Sequence, residues 1–201
     1  GHELRTPLTS LRTNLDTLRR FPAMPDADRD AILVDLHAET EELTDLVNEI
    51  VAVATGDKAD EPAEPFDLAD VVADVADRFE RRAGRMVAVT VEPTPVVAQR
   101  GAMQRALSCL LDNAVKFDAT GGPIEVTLRD RTVEVADRGT GIPDAELPLV
   151  FERFHRADAA RTMPGSGLGL SIVREVARRH GGDAHARNRD GGGAVVGFRL
   201  P

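Results

Sequence analysis

The chain has a single cysteine in 201 residues, Cys109 in the apolar run ALSCLLDNAV. An internal disulfide is therefore impossible, and a reducing compartment is expected. No apolar stretch approaches the roughly 18 residues that cross a bilayer, and no segment has the pattern of a secretory signal peptide. Positive charge is scarce too: 25 Lys and Arg stand against 34 Asp and Glu, a formal net charge of −9. That balance argues against nucleic acid as a partner, because phosphate backbones need a basic surface. Of the basic residues only Lys58 and Lys116 are lysines. A nucleotide is still admissible, provided a few cations and backbone amides converge locally. The remaining composition, 42% hydrophobic and 29% charged, is that of a folded globular protein of one or two domains.

Two parts are legible. In the first, Leu4, Leu8, Leu11, Leu15 and Leu18 recur at alternating spacings of four and three. On a helical wheel they fill a narrow apolar seam, which leaves His2, Thr6 and Thr9 on the opposite, exposed side. FPAMPDAD breaks this helix, and Asp26 or Asp28 can cap a second one. That second helix carries Ile32, Leu36, Leu43, Leu46, Ile50 and Val53 to about residue 54. Two such narrow seams are best buried by dimerisation into a four-helix bundle. The alternative is a helical hairpin packed on its neighbouring domain. The expected division is a hairpin over 1–54, a linker over 55–65 (TGDKADEPAEP) and a second domain over 66–201.

The second part mixes periods. LADVVADVADRFERRA, GAMQRALSCLLDNAVKF and GLSIVREVARRHGG read as helices. MVAVTVE and GAVVGFRLP read as strands, and PIEVTLRDRTVEVADRG as two strands turning at Asp130-Arg131. The expected fold class is α+β, a sandwich with helices on one sheet face. Two glycine loops interrupt it, DRGTGIP (137–143) and GSGLGLSIV (165–173), the second running straight into a helix. Backbone amides freed there, with the positive end of the helix, form an anion site; the bland reading is a turn and a helix cap. The spacing Gly165, Gly167, Gly169 is not the dinucleotide fingerprint, and no Walker-type loop is present. Asp137 can accept from an exocyclic amine such as that of adenine, or merely cap its turn. Asn113 offers an amide oxygen to Mg²⁺, with Lys116 three residues on for phosphate. His37, His180 and His185 lack metal-ligand spacing.

Taken in order, HELRTP, LLDNAVKF, DRGTGIP with FERFHR, and GSGLGLSIV resemble the boxes of bacterial two-component sensor histidine kinases, over essentially the whole chain. The resemblance implies a helical hairpin that forms a four-helix bundle on dimerisation, followed by an ATP-binding sandwich like those of gyrase-type and Hsp90-type ATPases. It implies ATP and Mg²⁺ as cofactors, a homodimer, and a response-regulator protein as partner. His2 falls at the phosphoacceptor, Glu3 at its acidic partner, and Thr6 where a polar residue positions water for dephosphorylation. Asn113 falls at the Mg²⁺ ligand, Lys116 at a phosphate contact, and Phe117 at an aromatic lying against adenine. Asp137 matches the carboxylate that recognises the adenine amine, flanked by Gly139 and Gly141. Phe151 and Phe154 match the aromatic pair that anchors a nucleotide lid over about 155–164, closed by Gly165, Gly167, Leu168 and Gly169.

Departures from the pattern are Cys109 at a position commonly asparagine, and Phe117 and His155 where tyrosine is frequent. A thiol is a poor Mg²⁺ ligand, so one metal or phosphate contact is expected to be lost or taken over by water. In the family the first helix extends well upstream, so a start one residue before His2 leads one to expect a fragment: the cytoplasmic domain of a sensor anchored in the plasma membrane. The alternative functions are a nucleotide-binding regulatory module and a gyrase-type ATPase without histidine phosphotransfer.

Overall fold

A computed structural model describes residues 5–21, 23–36, 39–40, 43, 61–155 and 167–201. These fall into two compact units, a helical one and an α/β one that spans 60–158 and 167–201.

In the helical unit α1 covers Arg5–Arg20 and α2 covers residues 26–36. Along α1, Leu11 and Leu18 are half-buried, whereas Leu8 and Leu15 are 55% and 56% exposed. The apolar seam is thus only partly covered within one chain. Neither Asp26 nor Asp28 caps α2. The first accepting carbonyl belongs to Pro25, which takes the Asp28 and Arg29 amides at 3.1 Å, so both aspartates lie inside the first turn. Their charge still favours the positive end of the helix there. Leu46, Ile50 and Val53 lie outside the described residues.

The α/β unit is built on a five-stranded sheet in the order β2-β4-β5-β7-β6. Its strands are β2 (Val87–Val91), β4 (Ile124–Arg129), β5 (Thr132–Ala136), β6 (Asp183–Asn188) and β7 (Ala194–Arg199). β2 runs parallel to β4, and every other pair is antiparallel. A separate ribbon pairs β1 (Glu64–Asp67) with β3 (Pro95–Ala98). The helices are α3 (Leu68–Ala83), α4 (Arg100–Phe117) and α5 (Gly169–Arg179).

Period-2 alternation decides which face they cover. Ile124, Val126 and Leu128 on β4 and Val133 and Val135 on β5 are buried, in the register Val126↔Val135 and Leu128↔Val133. Against them α4 buries Met103, Leu107, Leu110 and Leu111 at 1% exposure or less, each contributing about 1.5–3 kcal/mol. The other sheet face carries charges: Glu125 meets Arg138 and Arg189, and Glu134 meets His185 and Arg187. Asp130 and Arg131 both have positive φ, the geometry of a two-residue hairpin whose twist matches its strands.

Three strands differ from the expectation. β1 starts at Glu64, inside the segment 55–65 read as linker, because Phe66 docks into the core beside Val96. β1 and β3 are four residues each and carry Pro65 and Pro95, which weakens a strand pattern in sequence. β6 (DAHARN) is a polar edge strand with no clean alternation.

Candidate functional site

α4 ends at Phe117, and its last turn carries Asn113, Lys116 and Phe117. Asp112 points elsewhere, pairing with Arg82 of α3 at 2.6 Å. Asn113 is half-buried, and its side chain hydrogen-bonds to no other described residue. The Lys116 ammonium lies 5.2 Å from the Phe117 ring centroid. One turn earlier, Cys109 packs against the start of α5: a Cβ on Gly169 would stand 3.8 Å from the Cys109 Cβ, ordinary contact. The thiol position is therefore part of the α4–α5 seam.

Asp137 follows β5 and is 3% exposed. Its Oδ1 accepts the Gly139 amide at 2.8 Å and the Ala194 amide at 3.1 Å, while its own amide donates to Ala194 O. The turn-capping role is thus real, but it uses only one oxygen; Oδ2 takes no hydrogen bond among the described residues. The loop that follows is packed backbone on backbone. A Cβ on Gly139 would fall 2.8 Å from the Phe117 carbonyl carbon, and one on Gly193 the same distance from that of Asp137. Gly141 has φ +74, which few side chains tolerate. Asn188, at the end of β6, holds this loop with two hydrogen bonds to Ile142, accepting its N–H and donating to its C=O at 2.7 Å each.

On the other side of the loop is a buried ion pair. The Asp118 Oδ1 accepts the Thr120 amide at 2.8 Å and hydroxyl at 2.5 Å; Oδ2 accepts the Arg138 amide at 3.2 Å and lies 2.9 Å from Arg85 Nη2. Burial pushes this carboxyl up, but the Thr120 bonds, the Arg138 amide and Arg85 outweigh it and hold it below the ordinary carboxylate range. A pKa lower in the folded than in the unfolded state stabilises above the unfolded value, about 4, and that stability is lost as pH falls through the folded one. Asp118→Asn should therefore cost about 2–3 kcal/mol at neutral pH, and the gap to wild type should shrink below about pH 4. Denaturant titrations at pH 7 and pH 3 measure both.

The second glycine loop enters α5 through Gly167 (φ +77) and Leu168, which is buried and makes no side-chain cap. The first-turn amides of an eleven-residue helix starting at Gly169 lack intrahelical partners. Phe151 sits in the core, whereas Phe154 is 48% exposed at φ +63 and donates its amide to Gly167 O at 3.2 Å. Two ion pairs, Glu152–Arg174 at 3.0 Å and Arg153–Glu175 at 2.8 Å, tie the same turn to α5. His155 bonds Glu146. His180 caps α5, with Nδ1 on Val176 O at 2.8 Å and Nε2 accepting the Gln99 amide at 3.2 Å, a structural role.

The α/β unit thus sets the end of α4 against the loop after β5, Phe117 against Gly139, and that loop against the end of β6, Gly141 and Ile142 against Asn188. Asn113 and Lys116 lie near the end of α4, and Asp137 opens the loop. The loop of Gly167, Leu168 and Gly169 opens α5, which packs on α4. His2, Glu3, Gly165, the side chain of Thr6 and residues 156–164 of the expected lid lie outside the described residues. Nothing in the sequence singles out Asp118, Arg85 or Asn188, since their roles depend on partners 20 to 46 positions away. The run Gly191–Gly193 is a local signal of the close approach that Gly193 makes to the Asp137 backbone.

The family described as histidine kinase-, DNA gyrase B- and HSP90-like ATPase matches residues 98–201. The His kinase A (phospho-acceptor) domain matches residues 1–58. The signal transduction histidine-protein kinase/phosphatase MprB of Mycobacterium tuberculosis (strain ATCC 25177 / H37Ra) is 40% identical over 211 residues, covering 100% of this chain and 42% of that protein. The chain therefore spans less than half the length of such relatives. A solved structure of a mycobacterial sensor histidine kinase MprB is 37% identical, covers 69% of this chain and 97% of that one, and superposes with a TM-score of 0.62. Histidine kinase ThkA, solved in complex with response regulator protein TrrA, shares the fold at 23% identity, with 100% of this chain and 59% of that one covered and a TM-score of 0.77.

Proposed function

The chain belongs to the two-component sensor histidine kinases, and we propose that it takes the γ-phosphoryl group of ATP on His2 and hands it to an aspartate of a response regulator. The observation that carries the nucleotide half is Asp137, a buried carboxylate with Oδ1 occupied by two amides and Oδ2 left to accept an exocyclic amine. Gly139 and Gly141 let the base approach the backbone, and Phe117 offers a ring. Lys116 supplies positive charge to phosphate oxygens, and the α5 N-terminus supplies amides and the positive helix end. Phe154, Gly165, Gly167, Leu168 and Gly169 frame the expected lid.

Mg²⁺ suits this donor set. Among the described residues no three His, Cys, Asp or Glu side chains converge on a metal. Mg²⁺ does not need such a cage, because it keeps several waters and takes one or two protein oxygens besides phosphate. The Asn113 amide oxygen is the donor available, and the ion would offset phosphate charge. Cys109 brings no hard ligand to that position.

A neutral imidazole nitrogen of His2 attacks the γ-phosphorus, and the bond to the β-phosphate oxygen breaks to release ADP. Glu3 accepts a hydrogen bond from the other ring nitrogen, fixing the tautomer and stabilising the positive charge that develops. The phosphoryl group then passes from nitrogen to the carboxylate oxygen of the partner's aspartate. Thr6 positions water for a separate dephosphorylating activity, in which water attacks the partner's aspartyl phosphate and inorganic phosphate leaves. Pro7 lies in the first turn of α1 as described, and is proposed to let the chain bend beside His2. The exposed Leu8 and Leu15 support a homodimer through the hairpin. The whole protein is proposed to be a membrane-anchored sensor, this chain being its cytoplasmic part; no helix among the described residues is long and apolar enough to cross a membrane.

Incubation with γ-labelled ATP and Mg²⁺ should leave acid-labile, base-stable label on the chain, and Asn113→Ala should lower it at least about tenfold. Phosphate release with no labelled protein would instead identify a free-standing ATPase.

A further inference from the structure

We propose that Asp118 is a positioning residue for base recognition: its carboxylate holds the 137–139 turn in the one arrangement that leaves Asp137 Oδ2 for the adenine amine. The inference rests on the reading of Asp137 as the base-recognising carboxylate, and goes beyond it by assigning what sets that carboxylate.

Consecutive amides of the turn are held by two different carboxylates. Asp118 Oδ2 takes the Arg138 amide at 3.2 Å, and Asp137 Oδ1 takes the Gly139 amide at 2.8 Å. The turn therefore cannot rotate to offer Asp137 a different oxygen without releasing Asp118. Asp118 is itself fixed from every side. Its side chain has no exposed surface, Thr120 occupies Oδ1 with two bonds, and Arg85 stands 2.9 Å from Oδ2. Arg85 follows the left-handed Gly84 cap of α3 and also donates to Asp118 O and Gly122 O. Asp118 is, in turn, the residue directly after α4, so it fixes the helix of Asn113 and Lys116 to the turn of Asp137. Contact between the Gly139 backbone and the Phe117 carbonyl makes that junction rigid. One carboxylate thus couples the phosphate-side residues to the base-side residue.

An asparagine at 118 keeps the shape, but its NH₂ then faces the Arg138 amide and Arg85 on one side, or the Thr120 amide on the other, where only the Thr120 hydroxyl can turn to accept it. The test compares equilibrium affinities of the whole chain for ATP and for inosine triphosphate, whose base has a carbonyl in place of the exocyclic amine. Wild type should prefer ATP. Asp118→Asn should weaken ATP about tenfold and inosine triphosphate less than about twofold, measured at a temperature where circular dichroism shows the variant folded. Thr120→Val, at an exposed position, should shift the preference in the same direction by about two- to threefold, and decides the matter if Asp118→Asn does not fold. Equal weakening of both nucleotides means a merely structural role and overturns the inference, as does an unchanged preference. A wild type that does not distinguish the two nucleotides sinks the reading of Asp137 as well.

Discussion

His2→Gln takes up no label from γ-labelled ATP, while its affinity for ATP stays within about twofold of wild type. Glutamine matches imidazole roughly in size and can hydrogen-bond, but its amide nitrogen has no lone pair free to attack phosphorus. The nucleophile is lost outright, not merely weakened. Binding survives because Asn113, Lys116, Phe117, Asp137, Gly139 and Gly141, proposed to hold ATP, belong to the α/β unit, and His2 lies in the segment matched by the phosphoacceptor domain. Equilibrium binding and label incorporation, measured on the same preparation, separate the two effects. Label persisting in His2→Gln would move the acceptor to another side chain. A parallel loss of binding would mean that the variant is misfolded, which circular dichroism would reveal.

Gly139→Ala abolishes useful ATP binding by a different route, steric and not chemical. Its methyl would sit 2.8 Å from the Phe117 carbonyl carbon and 3.2 Å from Asp137 Oδ1. The first neighbour is backbone at the end of α4 and cannot swing aside, so the turn must move. That movement strains the hydrogen bonds that the Gly139 N–H donates to Asp137 and the Arg138 N–H donates to Asp118. Forced overpacking of this kind costs about 1–3 kcal/mol, and here it falls on the carboxylate proposed to read the base. At least a tenfold loss of ATP affinity is expected, read by titration calorimetry, together with a lower melting temperature. Gly122→Ala is the matched control, since its methyl would meet only the Thr120 hydroxyl at 3.5 Å. Equal behaviour of the two variants would show that the close approach at Gly139 is not what shapes the site.

Long, strongly periodic elements were readable because they carry their own evidence. α3, α4, α5 and the β4–β5 hairpin each bury a face whose spacing is written within 16 residues or so, and the Asp130-Arg131 turn has its own dihedral requirement. β1, β3 and β6 lack that evidence. They are short, proline-bearing or polar, and exist because a neighbouring strand offers hydrogen bonds in register. The caps of α2 failed for a related reason: Asp26 and Asp28 both satisfy the residue preference, and only the chain's path after Pro25 selects the carbonyl that starts the helix.

By itself the sequence determined the two-part order, the α+β class, the apolar faces, and the residue types able to meet phosphate, metal and amine, because those depend on local spacing and side-chain chemistry. Tertiary structure decided that Gly139 and Gly193 are sterically obligatory whereas Gly169 is not. It also decided that Asp137 spends only one oxygen on its own turn, and that Asp118, Arg85 and Asn188 hold the loop in place. Those facts depend on atoms 20 to 57 positions apart meeting within 3.3 Å, and a spacing rule along one chain segment does not contain them.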